Sequence, residues 1–261
     1  MTVASLLFQK DGPIAWVTLN DPDRLNALSE EMGVEIARLV PQINKDKTIR
    51  VVIVTGAGRA FSAGGNLDII EARTSKKSTV NQNEMIGFYD RFLSLLKIEV
   101  PVIAMINGPA IGAAFCMTLA CDLRVASTAA KMGVNFVKLG LSPGMGATFL
   151  LPHVLGTPTA LDLLLTGRTL TAEEALKKNI VHHLYAPEAL REETLRIARE
   201  IADNAPIAVK TAKRGILNHM RDLQKSLLFE SKGQAVCFRT DDLKEGVAAI
   251  RAKRAPQFQG R

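Results

Sequence analysis

A chain of 261 residues, 47% hydrophobic and 23% charged, is ordinary for one large globular domain, or one domain with a short appendage, around a sizeable core. Its net charge of +7 suits an anionic partner or simply a basic surface, but with 5% aromatic residues and no nucleic-acid-binding module a nucleic acid is not the expected one. Cys116, Cys121 and Cys237 are odd in number and form no closely spaced metal pair, so they read as reduced thiols in a cytoplasmic setting, with no metal site.

Residues Met1 to Ser5 lack the basic segment and long apolar core of a secretory signal. Val3–Gln9 and Ile14–Asn20 read as strands joined through Lys10-Asp11-Gly12-Pro13, a turn composition, and so predict a hairpin. Ser29 is a sound N-cap for a helix carrying Met32, Ile36, Leu39, Val40 and Ile43 on one face, with Pro41 expected to kink it or end it early. Val51–Thr55 and Pro101–Ile106 read as buried strands. Between them, Lys76 to Asn83 is polar without a period and is expected to be a mobile loop, before helical spacing resumes at Met85, Phe88, Phe92, Leu95 and Leu96.

Val100 to Cys121 contains no charged residue and is long enough to span a bilayer. Pro101, Asn107-Gly108-Pro109 and a change from β-branched to alanine-rich sequence make it strand, turn and buried helix (Ile111–Ala120) instead. Leu123–Ala126 reads as a further strand. Helical patterns follow at Pro158–Thr166, Ala172–Lys178, Pro187–Asp203, Ile207–Met220, Gln224–Phe238 and Asp241–Lys253. Strand–helix alternation followed by helices alone predicts an α/β core, here 1–204, with an α-helical C-terminal region, 205–261.

Two small-residue turns leave apolar strands. Phe61-Ser62-Ala63-Gly64-Gly65-Asn66-Leu67 follows Val51–Thr55, and Asn107-Gly108-Pro109-Ala110-Ile111-Gly112-Ala113-Ala114 follows Val102–Ile106. Gly and Ala permit close backbone approach, and the first N–H groups of a helix lack intrahelical partners. Two such donors aimed at one oxygen would stabilise charge developing on a carbonyl.

These turns resemble those of the crotonase, or enoyl-CoA hydratase/isomerase, superfamily. The resemblance runs from Arg24-Leu25-Asn26-Ala27-Leu28 through Cys121-Asp122, Gly140–Gly146, Leu165-Thr166-Gly167-Arg168 and Ala172-Glu173-Glu174-Ala175 to Lys253–Phe258. It implies a spiral of ββα units, homotrimers or dimers of trimers built through the C-terminal helices, and an acyl-CoA thioester as substrate with no tightly bound cofactor. By position, the oxyanion donors are the backbone N–H groups of Gly65 and Ala113. Arg24, Leu25, Ala27, Ala63, Gly64, Gly65 and Leu67 would contact the coenzyme, and Lys253 of a neighbouring subunit its phosphates. Asp68 stands where family members often carry a lysine.

The same matching exposes a departure. The two glutamate positions of family hydratases are Cys116 and Phe136 here, and a third carboxylate position used by some members is Gly144. Hydration by a glutamate pair is general acid–base work, so ordinary hydration should be weakened. Double-bond migration, needing one proton shuttle, asks less. Cys116, Asn66, Asn135, Ser142 and Lys138 were the nearby polar candidates, each with a plain structural role as the alternative, and the histidines (His153, His182, His183, His219) are scattered. A catalytically silent acyl-CoA binder and a structural oligomer subunit are the rival readings.

Two short patterns carry no weight. Gly140-Leu141-Ser142-Pro143-Gly144 fits a serine-nucleophile elbow, but Pro143 lacks the N–H that such an elbow donates. Gly56-Ala57-Gly58 begins a dinucleotide fingerprint whose third glycine would be position 61, which is Phe61.

Overall fold

The computed structural model describes residues 4–217 and 223–257. Val3, His219, Met220 and Phe258, named above, lie outside the described residues. The chain begins with a hairpin of β1 (Leu6–Asp11) and β2 (Ile14–Leu19), then α1 (Glu30–Lys45), β3 (Val51–Gly56), α2 (Leu67–Ala72), α3 (Ser78–Phe92) and β4 (Val102–Ile106). There follow β5 (Ala110–Ile111), α4 (Ala113–Leu119), β6 (Leu123–Ser127), β7 (Lys131–Gly133), α5 (Ala147–Leu155), α6 (Thr157–Thr166), β8 (Thr169–Thr171), α7 (Ala172–Lys177) and β9 (His183–Tyr185). The last four helices are α8 (Leu190–Ala202), α9 (Pro206–Leu217), α10 (Leu223–Cys237) and α11 (Asp241–Arg251).

Six strands form one sheet in the order β1-β2-β3-β4-β6-β9, parallel from β2 onward, and β5, β7 and β8 form a smaller one. Successive side chains of a strand face opposite ways, and the large sheet is covered on both faces, as parallel sheets are. Ile14, Trp16, Val51, Ile53, Ile103, Met105 and Val125 pack against α8 through Leu190, Ile197, Ala198 and Ala202. The alternate residues Ala15, Val17, Val52, Val54, Ala104, Ile106 and Ala126 face the larger core, which Leu227 of α10, Phe238 just after it, and Leu243 and Val247 of α11 also enter.

Local expectations fare unevenly. The hairpin forms, with Gly12 at φ 57° in its turn, although β1 starts later than expected and keeps Lys10 and Asp11 in the strand. The Ser29 hydroxyl accepts from the Met32 N–H and caps α1. That helix runs past Pro41 to Lys45. Beyond the proline, Ile43 is buried, and Asn44 donates to the Lys97 carbonyl and accepts from the Glu99 N–H. Those contacts hold the last turn where the proline has removed a helical donor.

The expected loop over Lys76 to Asn83 is also corrected, since α3 begins at Ser78. Two of its polar residues are held by other parts of the chain. Asn81 Nδ2 donates to the Arg73 carbonyl at 2.9 Å, while Arg73 and Lys76 both pair with Glu84. Among the described residues no helix is long and apolar enough to cross a membrane, and Val100 to Cys121 divides into β4, β5 and α4.

Candidate active site

The two small-residue turns lie against each other. Ser62 N–H donates to the Pro109 carbonyl at 3.0 Å, and Ile111 N–H returns a bond to the Ser62 carbonyl at 3.1 Å. Gly64, at φ 90°, leaves so little room that a Cβ there would strike the Ile111 carbonyl, and it would lie 3.7 Å from the Ala113 nitrogen. Only glycine fits both the angle and the approach. Two asparagines, Asn26 buried and Asn107 half-buried, brace the strand end behind the first turn. Asn26 Nδ2 donates to the carbonyls of Ala57 at 2.8 Å and Ala60 at 2.9 Å, and Asn107 Nδ2 to those of Gly56 and Gly58, both at 2.9 Å.

Beside this junction is a cavity of about 260 Å³. Gly65 and Ala113 both line it, and among the described residues neither main-chain N–H has an intramolecular acceptor. Ala113 is the first residue of α4, where an unpaired N–H is expected, and Gly112 ahead of it takes φ 58°. Ala63, Asn66 and Leu67 share the wall. Asn66 is also the N-cap of α2, its Oδ1 accepting from the Asp68 N–H at 2.8 Å.

The three positions at which the resemblance leads one to expect carboxylates divide. Phe136 lines the cavity, in a 3-10 turn spanning Asn135–Leu139. Cys116 is fully buried in α4 outside the lining residues, and burial, with the Glu230 charge as a smaller cause, pushes its thiol pKa well up. A thiol so placed is an inert core group. Gly144 has no space for a side chain. Its Cβ would collide with the Gln234 amide nitrogen and lie 2.5 Å from the Tyr89 hydroxyl.

Gln234 and Tyr89 themselves line the cavity. The Tyr89 hydroxyl donates to Gln234 Oε1, and Gln234 Nε2 reaches the Ser142 carbonyl at 3.3 Å. Burial drives the Tyr89 pKa well above its ordinary value, so the phenol is neutral and acts as a donor. Of the expected apolar stripe, Met85 and Phe88 reach the cavity and Phe92 is core. Leu28, Ile70, Leu139, Leu141, Phe238 and Ile250 complete a mainly apolar wall, and no aspartate or glutamate is among its described residues.

The other candidates lie apart. Lys138 is exposed, and none of His153, His182 and His183 lines the cavity. Burial lowers the His182 pKa, and its Nδ1 accepts from the Arg124 N–H at 3.1 Å. Leu25 lies behind the first turn, its carbonyl accepting from the Ala63 N–H at 2.9 Å, while Leu28 N–H bonds the Gly64 carbonyl at 2.8 Å. The Arg24 side chain is mostly exposed next to them, and Lys253 is exposed just beyond α11. Asp68 pairs with Arg251.

Three polar lining residues went unmarked in the sequence: Arg73, Tyr89 and Gln234. Tyr89 follows Met85 by four residues on the predicted stripe, which was a usable signal. Gln234 had none, because its partner is 145 residues away.

The chain matches the enoyl-CoA hydratase/isomerase family over residues 9–261. It is 35% identical over 258 residues to the short-chain-enoyl-CoA hydratase of Clostridium acetobutylicum, covering 97% of each chain. It is also 35% identical over 247 residues to 1,2-epoxyphenylacetyl-CoA isomerase of Escherichia coli, covering 94% of each. The crystal structure of an enoyl-CoA hydratase from Mycobacterium avium subsp. paratuberculosis aligns with a TM-score of 0.88 at 29% identity, covering 99% of this chain and all of that one.

Proposed function

The chain belongs to the enoyl-CoA hydratase/isomerase family, and from that premise we propose that Gly65 and Ala113 grip the carbonyl oxygen of an acyl-CoA thioester. Its fold is the crotonase-like α/β spiral with C-terminal helices, and the protein is an enzyme of the hydratase/isomerase kind. The observation that carries the reading is the pair of turns bonded through Ser62, with both N–H groups lacking acceptors among the described residues at one cavity wall. Donors fixed in advance act on the negative charge that an enolate-like transition state places on that oxygen.

Acid–base chemistry is where this enzyme departs from a glutamate-paired hydratase. Cys116 is sealed in the core, Phe136 offers a ring, and the place of a side chain at Gly144 belongs to Gln234 and Tyr89. Proton transfer by a positioned side chain is worth about 10²–10⁴-fold, so hydration of a simple enoyl-CoA is slow here. Migration of a double bond, with one proton removed and returned, makes the smaller demand. Arg24, Leu25, Ala27, Ala63, Gly64 and Leu67 hold the coenzyme, and Lys253 reaches its phosphates from a neighbouring subunit of a homotrimer or a dimer of trimers. A cytoplasmic setting fits three free cysteines.

A turnover screen over acyl-CoA classes, read by mass spectrometry beside calorimetric binding, tests the proposal. Isomerised product in excess of hydrated product is expected. Tight binding without turnover would instead identify a silent acyl-CoA binder, and absence of binding a structural subunit.

A further inference from the structure

The cavity wall carries one charged side chain among its described residues, and it is a cation. Arg73 follows α2, lines the cavity and is 6% exposed. A guanidinium has five N–H groups. Among the described residues its side chain makes one hydrogen-bonded ion pair, from Nη1 to Glu84 Oε2 at 2.7 Å. Glu84 does not belong to Arg73 alone. Lys76 Nζ meets both of its oxygens, at 2.9 and 2.8 Å, and the Glu84 side chain is 36% exposed. Two cations thus share one carboxylate.

The described buried side-chain polar atoms without partners are Asn81 Oδ1 and Ser142 Oγ. The Arg73 nitrogens that Glu84 does not engage are therefore not sealed off, and the cavity is the space that the residue lines. The Arg73 guanidinium lies over the Phe238 ring, 5.8 Å from its centroid, one helical turn beyond Gln234. Its charge also reaches the Tyr89 hydroxyl, which Gln234 accepts. Arg73, Tyr89 and Gln234 form a polar patch in a wall otherwise built mainly of leucine, isoleucine, methionine and phenylalanine. Clamping α3 through Glu84 explains Nη1. It leaves the other donors, and the place of a partly compensated charge at a cavity wall, without a purpose.

We propose that the cavity receives an acyl group bearing its own carboxylate, bound by Arg73, so that the substrate is a mono-CoA thioester of a dicarboxylic acid. This rests on the thioester reading above and adds the identity of the acyl group. A planar guanidinium matches a carboxylate with two parallel bonds, and the apolar side chains of the wall suit the methylenes between the two ends.

Calorimetric binding of adipyl-CoA and hexanoyl-CoA to the intact protein tests it, at about 0.3 M salt to screen general attraction to a basic surface. Adipyl-CoA is expected to bind at least about tenfold tighter, as a charge-assisted pair would give. Arg73→Gln should bring the ratio to within about twofold of one, and Arg73→Lys should restore part of it, as a point charge without the fork. Equal binding of the two ligands by the unmodified protein, a preference for hexanoyl-CoA, or a preference surviving Arg73→Gln would overturn the proposal. The unmodified protein's ratio decides even if the variants do not fold. Failure of both ligands to bind would instead remove the thioester reading, and the carboxylate site with it.

Discussion

The hydroxyl of Tyr89 donates to Oε1 of Gln234, joining α3 to α10 across 145 residues of chain, and the pair fills the place that a side chain at Gly144 would take. Gly144→Ala therefore forces a methyl group against two buried polar atoms and should cost about 1–3 kcal/mol, the usual penalty of overpacking. Gln234→Ala in the same chain should recover most of that loss. Urea denaturation of the single and double variants measures it, and a double variant no more stable than Gly144→Ala would show that the obstruction lies elsewhere.

The Ala113 donor can be removed with little disturbance, because proline is well tolerated at the first position of a helix. Ala113 holds that position in α4, after a glycine. Ala113→Pro should keep its circular dichroism while kcat/KM falls about 10²–10³-fold, the cost of one oxyanion donor. Unchanged kcat/KM in a folded variant would refute the role given to this N–H.

Restoring a carboxylate is not equally open at each position. Phe136 faces the cavity, so Phe136→Glu should fold. Cys116→Glu would place a charge in the core, near enough to Glu230 that the two feel each other, and should cost about 3–5 kcal/mol as an unpaired buried ion does. Glu230→Gln in the same chain should reduce that penalty. A double-mutant cycle reads the coupling, and additive losses would mean that the two positions do not interact.

Glu230 itself predicts a pH dependence. It is buried and accepts from Gly146 N–H at 2.6 Å, Thr148 N–H at 2.9 Å and the Thr148 hydroxyl at 2.7 Å, yet burial outweighs those bonds and raises its pKa above the ordinary 4.5. Between the unfolded and folded values the native state binds more protons, so stability should fall as pH rises through that window and level off above it. Glu230→Gln should abolish this component of the slope while losing about 1–3 kcal/mol for the acceptor that an amide cannot supply. Unfolding free energies at several pH values between 4 and 8 check both; an unaltered slope in the variant would contradict the assignment.

What the sequence disclosed was what the backbone needs locally. Gly64 and Gly112 mark positive φ and close approach, and the β-branched runs mark the central strands, because each signal sits at the residue that uses it. Pro41 does not end α1 early, because the force holding its last turn comes from Asn44 bonding to Lys97 and Glu99. Lys76 to Asn83 misled, because Asn81 answers to the Arg73 carbonyl and Lys76 to Glu84. Arg73 and Gln234 gain their meaning only from what faces them. Hydrophobic periodicity carries no record of that.

Ile250 of α11, Gln234 of α10 and Phe238 just after it close a chamber whose remaining described lining comes from residues 28–141, and Arg251 fastens α11 to Asp68 and Glu71 of α2. On the ribosome, then, the amides of Gly65 and Ala113 emerge long before the helices that enclose them. A nascent chain that has not yet made α10 and α11 presents an open trough, which closes only when those helices arrive.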